Sequence, residues 1–91
     1  MKPFKTNAYV YSLNKEKLTS TEKAEITVLT ELTCFSRPVN NAYVVDYKGT
    51  LCSAIYNFFS GSYYADDVYG KLTENDENYL LAKRLSEKLA K

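Results

Sequence analysis

The sequence predicts a small α+β fold, a single domain over residues 1–91, with a short sheet packed by helices in the order β-α-β-α-α and a hairpin in place of the second helix as the alternative. Three observations predict it. Residues 8–13 and 41–47 are dense in aromatic and β-branched side chains. Between and after them, apolar residues recur at helical spacing. At 91 residues, two separate cores would each be too small to offset chain entropy.

Ala8-Tyr9-Val10-Tyr11-Ser12-Leu13 lies between Asn7 and Asn14 and is apolar on both faces, as a covered strand would be. Thr19 followed three residues later by Glu22 forms a capping box, which starts a helix over residues 20–35. Its stripe is Ala24, Val28, Leu29, Leu32 and Phe35, and Arg37-Pro38 ends it. The β-branched residues Ile26, Thr27, Val28, Thr30 and Thr33 make a strand over 26–33 the alternative. Asn41-Ala42-Tyr43-Val44 repeats Asn7-Ala8-Tyr9-Val10 and begins the second strand. A helix between two strands implies a right-handed crossover and parallel pairing.

Lys48-Gly49-Thr50 turns the chain. Leu51, Ala54, Ile55, Phe58 and Phe59 then follow a helical period, with Thr50, Ser53, Asn57 and Ser60 opposite. The rival hairpin, through Asp46-Tyr47-Lys48-Gly49, would set Leu51 and Ile55 on one face with Ser53 and Asn57. Ser60-Gly61-Ser62 breaks the helix, and residues 63–70 read as a loop or short turn. The last helix runs over 73–90, capped by Thr73, with an inner stripe of Tyr79, Leu81, Ala82, Leu85 and Leu89. Glu74, Asp76 and Glu77 complement its positive end, and Lys83, Arg84, Lys88 and Lys91 its negative end.

Composition narrows function more than any motif does. Nine tyrosines accompany no histidine and no tryptophan, which favours binding over proton transfer and common metal sites. The expectation is therefore a protein that is not an enzyme and uses no cofactor or metal. Cys52, in the first turn of the predicted second helix, is the better thiolate candidate, although both Cys34 and Cys52 read as reduced structural residues. Asp66-Asp67, alone or with Glu74, could hold Mg²⁺ or act as acid and base, but adjacent loop carboxylates are more often solvated caps. Gly49, Gly61 and Gly70 are isolated and form no phosphate loop.

A formal charge of +1 gives no global field for nucleic acid or membrane. Lys2, Lys5, Lys15 and Lys17 do interleave with Tyr9 and Tyr11, as on a single-strand-binding surface. The start of the sequence shows no signal peptide and no stretch approaches a transmembrane helix, so a soluble cytoplasmic protein is expected.

The expected partner-binding residues are Tyr63, Tyr64, Asp66, Asp67 and Tyr69, since tyrosine anchors beside carboxylates suit a larger protein with a basic surface. The expected function is to occlude or modulate that protein, with nucleic acid disfavoured and homodimerisation left open. In size and composition alone the chain is similar to the small inhibitors that phages and mobile elements make against host systems, anti-CRISPR proteins among them. The alternatives are a tyrosine-lined nucleotide-sequestering protein, a single-stranded nucleic-acid binder and a weak hydrolase using Asp66 or Asp67.

Overall fold

The β-branched run from Ile26 to Thr33 forms a strand, and the architecture follows from it. The computed structural model describes residues 2–11 and 23–90. Five strands close into a barrel with one helix outside: β1 (Phe4–Tyr11), β2 (Ala24–Cys34), β3 (Arg37–Tyr47), β4 (Thr50–Asn57), β5 (Ser62–Lys71) and α1 (Tyr79–Leu89). Each strand pairs antiparallel with the next. β1 then closes on β5 in parallel, as a meander with an odd number of strands must.

The β-α-β-α-α order is therefore overturned. The helix expected over 20–35 is β2, extending the alternative strand reading. The helix expected over Leu51 to Phe59 is β4, and the hairpin alternative is the one realised. The expected loop over 63–70 is β5, and β3 pairs with β2 and β4 rather than with β1, so there is no crossover between them. The final helix is shorter than expected, with Asn78 rather than Thr73 at its N-cap position. The capping box at Thr19 and Glu22, and the strand residues Ser12 and Leu13, lie outside the described residues.

Size dictates what the barrel can hold. Five strands enclose a narrow interior, so many inward positions carry small side chains. Ala8, Cys52, Ala54 and Ala65 share it with Val10, Ile26, Val28 and Val45. A second core lies outside the barrel, where Ala82 of α1 packs on Leu29, Val44 and Leu72, flanked by Leu32, Leu51, Tyr79 and Leu85. Strand alternation sends the adjacent Val28 and Leu29 of β2 into different cores, as it does Val44 and Val45 of β3. The repeated tetrapeptide shows how strongly context governs a strand: Ala8 and Val10 face the interior, whereas in the second copy Tyr43 packs on the interior core and Val44 lies under α1.

Two hairpins use two-residue turns with both central residues left-handed, the form that matches strand twist. In Lys48-Gly49 the left-handed conformation costs something only at Lys48, at φ 50°, since glycine takes the second position freely, and Asp46 Oδ1 accepts the Gly49 N–H at 2.8 Å. Phe35-Ser36 has no glycine, so both residues, at φ of 50° and 65°, carry that cost. The segment before α1 holds that turn in place. The Glu77 carboxylate accepts the Phe35 N–H (2.7 Å), the Ser36 N–H (2.9 Å) and the Thr33 hydroxyl (2.7 Å). Asn78, buried beside it, accepts the Thr33 N–H at 2.9 Å and donates to the Thr33 carbonyl at 3.0 Å, standing in for a neighbouring strand.

Candidate interaction surface

The expected site residues all lie in β5, but strand alternation and a bulge disperse them. Tyr63 points inward, where its ring meets Tyr56 at 4.8 Å, Tyr43 at 5.8 Å and Phe4 at 6.3 Å between centroids. It is the hub of an aromatic plug at one barrel mouth. Burial first, and then the neighbouring Tyr43 and Tyr56, raise its phenol above the usual value. Tyr64 points outward and stacks on Tyr9 of β1 at 5.2 Å, with the Lys23 ammonium 4.9 Å from the Tyr9 centroid.

Beyond Ala65 the register with β4 slips. Ser53 faces Asp66, yet the neighbouring Cys52 faces Lys71, so Asp67, Val68, Tyr69 and Gly70 are looped out. Asp66 builds this bulge, since its Oδ1 accepts the N–H groups of both Val68 and Tyr69 at 2.9 Å. Asp67 has a buried Oδ1 with no hydrogen-bond partner. Of the five expected residues, only Tyr69 is largely exposed, at 83%. Among the cations expected to accompany Tyr9 and Tyr11, Lys2 and Lys5 are exposed, and Lys5 lies 3.9 Å from Glu25 in a solvent-facing pair of little energetic weight. Lys15, Lys17 and Lys91 lie outside the described residues.

The phenylalanines share one end of the barrel. The chain has four, and none is in either core: Phe4 is 40% exposed, Phe58 62%, Phe59 88% and Phe35 90%. Topology gathers them. Phe4 opens β1, Phe35 sits in the β2–β3 turn and Phe58-Phe59 in the β4–β5 turn, and alternating strand direction puts all three at the same end of the barrel. The aromatic plug around Tyr63 closes that end, and Ile55 stands exposed two residues before the β4–β5 turn.

Both turns are fixed. Phe58 and Phe59 stack with centroids 4.4 Å apart, while Asn57 Oδ1 accepts the N–H groups of Phe59 (2.9 Å) and Ser60 (3.3 Å). Gly61, at φ 69°, returns its N–H to the Asn57 carbonyl at 2.8 Å. Sequence reasoning assigned Phe35, Phe58 and Phe59 to helix stripes. The overlooked signal is Asn57-Phe58-Phe59-Ser60-Gly61, in which two aromatics stand between turn-forming residues.

The chemistry at the other candidate groups is subdued. Cys52 is wholly buried in the barrel rather than in a helix turn, and burial, followed by Asp67, Asp66 and Asp46, pushes its thiol up to about 12. A thiol so placed stays protonated and is not a nucleophile. Cys34 is free and exposed at the end of β2. Among the described residues no three cysteine or acidic side chains gather to hold a metal ion, and no helix is long and apolar enough to cross a membrane.

No family model, curated protein or solved structure matches this chain.

Proposed function

We propose that the chain is a non-catalytic protein-binding domain that occludes a larger partner by seating the phenylalanines of one barrel end in apolar recesses. The observation that carries this is the placement of all four phenylalanines outside both cores and at one end. Covering an exposed phenylalanine recovers about 1.5–3 kcal/mol of transfer free energy, and clustered exposed aromatics mark interaction sites. The turns also reduce the ordering cost of binding, because Asn57 and Glu77 already fix the backbone at Phe59 and Phe35.

The partner surface that fits is apolar and concave. A basic surface is less well matched, since Asp66 is engaged in the bulge and Asp67 turns one oxygen inward. The free thiols accord with a reducing, cytoplasmic setting. A counter-defence role is the form of this proposal in which the partner is a host defence protein.

The test compares capture from a lysate by the parent and by a Phe58→Ser/Phe59→Ser variant that retains the parent's circular dichroism. A protein held by the parent in a stoichiometric complex and lost by the variant supports the reading. Equal retention by both overturns it. So does self-association of the parent that the variant abolishes, which would assign this end to a second copy.

A further inference from the structure

A wide hollow lies away from the phenylalanine end, between α1 and the looped-out part of β5. It measures about 950 Å³, within the size range of small-ligand sites, and is lined by Tyr69, Tyr79, Lys71, Lys83, Glu74 and Glu87. One wall is held by more than chance geometry. The Asp66 carboxylate ties down the backbone at Val68 and Tyr69, and Gly70 sits where any Cβ would collide with Ser53 Oγ and the Asp66 carbonyl. Bulges fixed in this way re-aim a side chain, and the side chain re-aimed here is the exposed Tyr69. On the opposite wall the Lys83 ammonium lies 5.9 Å from the Tyr79 centroid.

We infer that this groove binds a small molecule joining a planar ring to an anionic group, of the size and chemistry of a mononucleotide. Tyr69 offers a face for the ring, and Lys71 and Lys83 offer charge to a phosphate. Glu74 and Glu87 are acceptors for the amine and hydroxyl donors of a base and ribose. Carboxylates beside the lysines disfavour a bare polyanion, so the ligand must bring donors as well as negative charge. This site is separate from the phenylalanine end, and either proposal can fail alone.

The test titrates AMP, GMP, CMP and UMP separately into the isotopically labelled protein, following amide shifts at low salt up to about 5 mM, beyond a millimolar dissociation constant. Adenosine and inorganic phosphate serve as half-ligands. The expected result is saturable binding by at least one mononucleotide, with shifts at residues 68–74 and 79–87 and weaker binding by either half-ligand. Tyr69→Ala should weaken it about tenfold or more, and Lys71→Gln should weaken it and flatten its salt dependence, while Phe59→Ala changes nothing. No binding by any of the four, equal binding by inorganic phosphate alone, or binding that a folded Tyr69→Ala variant leaves unchanged would overturn the inference.

Discussion

Glu77 accepts the backbone N–H of Phe35 at 2.7 Å across 42 positions of sequence, and so ties the approach to the helix to the tip of a hairpin. The same carboxylate takes the Ser36 N–H and the Thr33 hydroxyl, and these bonds, the Thr33 hydroxyl foremost, hold its pKa below the usual carboxylate range. A depressed pKa stabilises the fold above the unfolded-state value, and that stabilisation is lost as pH falls through the folded value. Glu77→Gln should therefore melt below the parent near neutral pH, and the gap should close as pH is lowered past the carboxylate range. Melting curves taken across that range for both proteins check this; a gap independent of pH would show that the carboxylate's charge is not what holds the turn.

Val45 and Ile55 separate the barrel from the expected helical arrangement. Val45 is wholly buried inside the barrel, whereas Ile55 is 60% exposed although a helix over 51–59 would bury it. Val45→Asp should cost about 3–5 kcal/mol as an unpaired buried charge, and Ile55→Asp should stay within about 1 kcal/mol of the parent. Urea denaturation of the two variants measures the contrast. The reverse order would restore the helix.

The way β4 hides in the sequence has a physical cause. Its interior row is Cys52, Ala54 and Tyr56, because a five-stranded barrel leaves little room, so the inward side does not read as strongly apolar. Its outward row mixes Leu51, covered by α1, with exposed Ile55 and polar Ser53, which blurs the alternation. β2 reads as a helix over 20–35, its β-branched residues carrying a strand over 26–33 only as the alternative, whereas β1, β3 and the C-terminal helix were legible through their composition and stripe. The bulge in β5 was not legible, since it depends on Asp66 reaching forward and Gly70 approaching Ser53. The site was legible only as an excess of aromatics. Which of them face out depends on barrel closure, a long-range property that no local pattern contains.

Gly70 is required by close approach. A Cβ there would meet the Asp66 carbonyl at 2.7 Å, and a backbone atom cannot easily give way. Gly70→Ala should cost about 1–3 kcal/mol in chemical denaturation. Unchanged stability would mean that the bulge adapts freely and does not fix Tyr69.

The two thiols should react very differently. Cys34 is exposed and Cys52 is buried with its pKa pushed up to about 12. Under native conditions, iodoacetamide should modify Cys34 readily and Cys52 only at the rate at which the barrel opens. A mass-spectrometric time course reads both; equal rates would contradict the placement of Cys52 inside a closed barrel.

Phe59, exposed on a fixed turn, tests the central claim most directly. With the captured partner in hand, calorimetric titration of the parent and of Phe59→Ala gives the cost of removing one ring. The account predicts a folded variant whose binding is weaker by about 1–4 kcal/mol, the range of an anchor residue. A folded Phe59→Ala variant that binds the partner with the parent's affinity would contradict it.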